Sequence, residues 1–254
     1  MENKQFSLIE LLVVVAIIGI LASLLMPSLK SARGSAKQAS CKNNMKQLGI
    51  GILMYHGDQD EKIPYANING SIDGWDSLIR SYLTTKTASG FWDSTEKIDS
   101  MRCPSARQPE IIGTIYTGTY AMPAGNANDA TMTNLAVPHY GYRIVGGSPY
   151  RKISDLPDPT GTMALTEVDT SSGASRQGIG FFTHRADFQT NDGANGSSND
   201  GSSNTTLNLH NRSNVNYLFA DGHVESLYPL STRVVGAGGP SSAWDGIWSV
   251  AAGD

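Results

Sequence analysis

The sequence predicts an α+β protein in which one long N-terminal helix carries a mostly antiparallel β head. Three observations predict it. Residues 6–27 (FSLIELLVVVAIIGILASLLMP) form an apolar run with one carboxylate, Glu10, and about 20 apolar residues are what a helix needs to cross the hydrocarbon of a bilayer. Beyond Pro27, apolar side chains recur at three and four residues, the period of an amphipathic helix. Farther on, short runs of β-branched and aromatic residues stand between Gly-, Asn- and Pro-rich breaks, and residues 215–227 have the pattern of a hairpin.

Composition narrows the classes. A chain of 254 residues suits one anchor and one head domain of ordinary size. With Lys+Arg 19 against Asp+Glu 23 and a net charge of −4, it lacks the clustered basic face of nucleic-acid binders. Sparse charge (17%) and abundant Gly (27 residues) fit a secreted, loop-rich, β-containing head.

The anchor comes first. Near the centre of a membrane helix each large aliphatic contributes about −0.3 to −0.6 kcal/mol, whereas an acid costs about +2.5 to +3.5 kcal/mol. The many aliphatics outweigh the single Glu10. An ionisable residue inside such a segment points to a function with a partner to be found; a tolerated interfacial acid is the plain alternative. A secretory signal peptide ranks second, because the small-residue site it needs, around Ala22 and Ser23, is followed by more Leu and Met.

The order of residues is informative: a short leader MENKQ, then Phe6, Ser7-Leu8-Ile9-Glu10, aliphatics and Pro27. It resembles the N-terminal processing and methylation segment of type IV pilins and type II secretion pseudopilins, with Glu10 at the fifth position from Phe6. The resemblance implies a pilin-like fold. Residues 1–5 would be a leader that a prepilin peptidase removes between Gln5 and Phe6, after which the new N-terminus is methylated. Residues 6–57 would be the long helix, with 6–26 in the cytoplasmic membrane and later in a filament core. The partners implied are other copies or pilin-like subunits and the assembly machinery in that membrane, with the head in the periplasm and finally on an extracellular filament. Glu10 would pair with the freed amine of a neighbouring subunit, since a charge in low dielectric is tolerable only when paired. Gln5 stands where that family usually has Gly. If the leader stays, that amine is lost, and the alternative is an uncleaved single-pass protein whose head binds an extracellular ligand such as a glycan.

The helix continues past the membrane segment with Leu29, Ala32, Ala36, Ala39, Met45, Leu48, Ile52 and Tyr55 on one stripe, and Lys30, Arg33, Lys37, Lys42 and Lys46 mostly elsewhere. Pro27 predicts a kink or local melting, and Gly34, Gly49 and Gly51 weaken the helix further. The basic residues alone would favour the opposite orientation by the positive-inside rule; the N-terminal motif is the more specific signal. Residues 56–64 (HGDQDEKIP) end the helix, with Gly57 as C-cap and Pro64 blocking resumption. Their acids miss the alternate spacing of a calcium loop.

The head, residues 58–230, opens with a short helix over 74–83, whose Trp75, Leu78, Ile79, Tyr82 and Leu83 share one face. Cys41 and Cys103 are the whole thiol inventory. In an oxidising compartment they invite a disulfide tying helix to head, worth about 3 to 5 kcal/mol in the chain-entropy model; two separate buried thiols are the alternative. Two cysteines are too few for a structural zinc site, and no His pair stands at metal spacing beside them. Strands separated by loops follow over 111–147, then a turn over 155–159 and a buried strand over 162–168. Glu167 and Asp169 straddle the end of that strand. Paired carboxylates can do acid and base work, but a strand exit in a polar loop explains them equally well.

Residues 189–206 are of low complexity and read as a mobile surface loop. Asp192 and Asp200 within it are weak calcium candidates, suggested by one branch of the pseudopilins; no other cofactor is expected. Residues 215–220 and 223–227 predict a hairpin about a type I′ turn at Asp221-Gly222, with Tyr217 and Phe219 on one face and Leu218 on the other. This segment also resembles the C-terminal His-x9-Asp-Gly element of large pseudopilin-like proteins, although ten residues separate His210 from Asp221. His210, Asp221 and His223 have the chemistry of a metal or catalytic trio, yet turn geometry accounts for Asp221 and Gly222. No nucleophile elbow or phosphate-binding glycine loop is present, so an enzyme is not expected. The Gly- and Ala-rich tail, 231–254, carries Trp244 and Trp248.

Overall fold

The computed structural model describes residues 7–65, 67–68, 74–84, 97–106, 111–112, 115–116, 118–123, 143–144, 152–156, 158–167, 181–182, 210 and 214–228. In chain order the elements are α1 (Leu8–Asp58), β1 (Asn67–Ile68), α2 (Trp75–Leu83), β2 (Ile111–Ile112), β3 (Ile115–Tyr116), β4 (Tyr120–Pro123), β5 (Arg143–Ile144), β6 (Met163–Glu167), β7 (Phe181–Phe182), β8 (Val215–Phe219) and β9 (Val224–Leu227). Single 3₁₀ turns lie at Asp99–Met101 and Ile153–Asp155. The class is α+β.

The helix α1 is 51 residues long and begins at an N-cap, Ser7. It runs through Pro27 without the local melting that a mid-helix proline predicts. Proline removes one amide donor, and the helix on both sides is continuous; around it the hydroxyls of Ser23 and Ser28 donate to the carbonyls of Ile20 and Leu25. The C-terminus also differs from expectation. Gly57 remains helical, and the left-handed residues are Asp60 (φ 53°) and Glu61 (φ 64°). The Glu61 amide donates to the His56 carbonyl at 2.8 Å, the long bond of a Schellman closure, so Asp60 takes the conformation that a glycine usually supplies.

The main sheet has the order β7-β4-β6-β8-β9. Four of its strands, β4 to β9 by way of β6 and β8, pair antiparallel, and β7 joins the β4 edge in parallel. Two small pairs stand apart from it, β1 with β5 in parallel and β2 with β3 antiparallel.

The second half of α1 lies on this sheet. Cys41, Met45, Leu48, Ile52 and Tyr55, spaced by four and three residues, are buried together with Ile79 and Trp75 of α2, Tyr120 and Met122 of β4, Leu165 of β6 and Leu218 of β8. Their spacing keeps one stripe facing inward. Close approach is set at Gly49 and Gly51. A Cβ on Gly49 would stand 2.9 Å from Leu218 Cδ1, and one on Gly51 would stand 3.2 Å from Leu83 Cδ2. On the sheet's other side Met163, Val215, Tyr217 and Phe219 are buried as well, so β8 is covered on both faces.

The hairpin forms, but around a different turn. The Phe219 amide donates to the His223 carbonyl and the Gly222 amide to the Phe219 carbonyl, both at 2.9 Å. Only Gly222 of this turn has positive φ, at +90°. This is a three-residue loop with a left-handed glycine, whereas a type I′ turn needs φ > 0 at both central residues. Asp221 stays at negative φ while its Oδ1 accepts from the His223 amide at 3.0 Å.

Candidate functional site

The first half of α1 is bare. Leu8, Ile9, Leu11, Leu12, Ile17, Ile18, Leu24, Leu25 and Leu29 are exposed, Leu8 by 79%. No residue of the most apolar 18-residue window is buried. The helix is long and apolar enough to cross a membrane. An apolar surface of this extent marks a surface that is covered by lipid or by another protein.

Glu10 stands at its N-terminal end. The Ile9 amide donates to Ser7 Oγ at 3.2 Å, and the Ser7 amide donates to Glu10 Oε2 at 2.9 Å. Together these make a reciprocal capping box, and a carboxylate there also meets the positive end of the helix dipole. Within a single chain, then, Glu10 already has a structural role. Gln5 and Phe6 lie outside the described residues.

A second constellation is buried where α1 meets the sheet. Glu167, at the end of β6, is fully buried and does not exit into a polar loop as expected; Asp169 lies outside the described residues. His210 Nε2 is 2.9 Å from Glu167 Oε2 and 3.1 Å from Oε1. The Asn216 backbone amide donates to Oε2 at 3.0 Å and its side-chain amide to Oε1 at 2.9 Å. His210 Nδ1 is held by Ser105 Oγ at 3.1 Å. Asn216 in turn accepts from Ser226, and Gln38 of α1 donates to Ser226 Oγ at 3.3 Å. A carboxylate inside a core is tolerable only with partners of this kind. It leaves a mark on its surroundings: burial first, and the Glu167 charge second, hold the Tyr120 and Tyr217 hydroxyls well above the usual tyrosine range.

Beside this cluster Cys41 and Cys103 form a disulfide joining α1 to the loop before β2. Residues of that loop also serve the cluster, through Ser105. The Thr119 hydroxyl accepts from the Cys103 amide at 2.6 Å, and the Tyr120 hydroxyl donates to the Cys41 carbonyl at 3.3 Å.

The trio of His210, Asp221 and His223 is not brought together. His210 is inside, with Ser105 and Glu167. Asp221 and His223 pair with each other at the hairpin end, 2.6 Å apart, and the His223 ring stacks on Phe219 with centroids 4.2 Å apart. Sequence reasoning missed the Glu167–His210 contact and the roles of Asn216 and Ser105. One signal was available: an acid inside a strand read as buried. Asp192, Asp200, Trp244 and Trp248 lie outside the described residues.

The class that the fold defines is α+β: a long helix whose outer half is bare and whose inner half lies on an antiparallel head. Over 66 residues the chain is 38% identical to the type IV major pilin protein PilA of Myxococcus xanthus (strain DK1622), covering 26% of this chain and 30% of that relative. The chain thus spans under a third of the curated relative that it matches. Residues 30–87 match a family described as "Protein of unknown function (DUF1559)". No solved structure matches.

Proposed function

We propose that this chain is a structural, non-enzymatic subunit of a type IV pilus-like or type II secretion pseudopilus filament. The observation that carries the reading is the bare apolar half of α1. Lipid covers it while the subunit waits in the cytoplasmic membrane, and neighbouring helices cover it after assembly. Processing before Phe6 frees an amine close to the capping box, and Glu10 of an adjacent subunit pairs with that amine, which sets the stagger between helices. The head, outside the membrane, forms the filament surface.

Intact-mass and N-terminal peptide analysis of the protein from native membranes tests the reading, together with filament yield from a Glu10→Ala variant. A mature chain that begins at methylated Phe6, and loss of filaments on Glu10→Ala with the subunit still in the membrane, are expected. A chain that keeps its first five residues, and whose behaviour Glu10→Ala leaves unchanged, refutes the filament role. The reading then favoured is a tethered protein whose head binds a ligand such as a glycan. The capping box supports that second reading, because it satisfies Glu10 without any neighbour.

A further inference from the structure

We infer that, in its dithiol form, this chain holds one Zn²⁺ ion between Cys41, Cys103, Glu167 and His210. One ligand atom from each of the four lies within 4.8 Å of the others, and all four residues are buried. Two thiolates, an imidazole and a carboxylate are a donor set that zinc accepts in tetrahedral geometry, with bonds of about 2.0 to 2.3 Å. Such bonds put neighbouring ligand atoms roughly 3.3 to 3.8 Å apart, so the site forms with small side-chain movements. Two cysteines alone would be too few; the fold adds the two missing ligands from β6 and from residue 210.

The shell around the four supports the assignment independently. A ligating histidine almost always has its other ring nitrogen fixed by a neighbour, and a ligating carboxylate is itself hydrogen-bonded. Here Ser105 holds His210 Nδ1, which leaves Nε2 to face Glu167. Asn216 holds both Glu167 oxygens, and the Ser105 amide points at Cys103 Sγ, 3.4 Å away. The contact between Nε2 and Oε2 is what remains when a shared hydrogen occupies the place of a metal. The disulfide and the metal exclude each other, because each sulfur bonds either to its partner or to zinc.

The balance is simple. A phosphine reductant and one water convert the disulfide to two thiols and become the phosphine oxide. Zinc binding then releases both thiol protons as the two Zn–S bonds form, and the hydrogen between His210 Nε2 and Glu167 is given up in exchange for one on Nδ1, donated to Ser105 Oγ. The metal ties four segments together, α1, the Cys103 loop, β6 and residue 210, where the disulfide ties two.

The test uses the purified full-length chain in detergent, kept anaerobic with a phosphine and titrated with Co²⁺. One Co²⁺ per chain is expected, with thiolate charge-transfer and intense tetrahedral ligand-field bands that one equivalent of Zn²⁺ abolishes. The disulfide form should give neither band. Ser105→Ala, which leaves all four ligands in place, should weaken binding by about 10- to 100-fold, and His210→Ala and Glu167→Gln should remove the tetrahedral bands. Absence of thiolate bands in the reduced wild-type chain overturns the inference. So does unchanged Co²⁺ affinity in Ser105→Ala and His210→Ala, which would mean two ordinary thiols. A reduced chain that loses its circular-dichroism spectrum and does not regain it with Zn²⁺ also overturns it.

Discussion

His56 and Glu167 show how differently two buried ionisable side chains behave. Desolvation lowers His56 to about 4, against a weaker opposing pull from Glu61, so it is neutral in the folded chain at pH 7. The unfolded chain takes up a proton at His56 near pH 6.5 and the folded chain does so only near 4. Stability is therefore full above about 6.5 and falls with decreasing pH, by up to about 1.4 kcal/mol per unit from this group, until it levels near 4. Urea midpoints between pH 7.5 and 4.5 check this, and His56→Gln should flatten that part of the profile. Glu167 is instead held by His210 and Asn216. Glu167→Ala strands those partners in the core and should cost about 3 to 5 kcal/mol, read from the same denaturation curves. Neither effect could be read along the chain. Glu167 lies in a strand that reads as buried, but its partner His210 is 43 positions away, and nothing local announces the pairing.

At the level of elements, α1 was largely legible and its details were not. Of the stripe that helical period predicts, Met45, Leu48, Ile52 and Tyr55 are buried against the sheet. Leu29, Ala32, Ala36 and Ala39 are instead exposed, because the six-residue step from Ala39 to Met45 breaks the three-and-four spacing and sets the two halves on different faces. Local melting at Pro27 does not occur, because a proline removes one amide donor while the helix on either side continues. The helix ends within 56–64 as expected, but the left-handed residues are Asp60 and Glu61 and not Gly57. The hairpin was legible from alternation, but its turn type depends on φ at Asp221, which the Asp-Gly dipeptide does not fix. Two glycine variants separate packing from propensity. Gly49→Leu drives a side chain into Leu218 and should destabilise by about 1 to 3 kcal/mol. Gly57 is helical and exposed, and a Cβ there meets nothing within 4 Å. Gly57→Ala should stabilise by up to about 1 kcal/mol. Thermal melts of the two variants in one buffer decide both.

For the whole molecule, the division between a bare and a covered half of α1 predicts separability. The large apolar side chains of residues 8–29 are exposed and the buried core begins at Cys41. A chain shortened to begin at residue 30 should remain soluble without detergent and keep the denaturation midpoint of the full chain, while the full chain associates once detergent is removed. A clearly lowered midpoint would show that the outer helix supports the head. The α+β class and the anchor were legible because they rest on long periodic or uniform stretches. Of the interior chemistry the Cys41–Cys103 disulfide was legible from the two cysteines, whereas the Glu167–His210 contact beside it was not, since its partners are distant in sequence.

Cys41 is the first fully buried residue of α1 and is bonded to Cys103. A pull along the outer helix therefore enters the head through a covalent bond before it reaches any of the packed side chains beyond. The hydrophobic contacts of Met45, Leu48 and Ile52 lie behind that cross-link, shielded from direct shear. Oxidised chains should thus extend less than reduced ones when a single molecule is stretched by its N-terminal helix. The cysteines are 62 positions apart, and the cross-link takes the chain between them out of the path of the force.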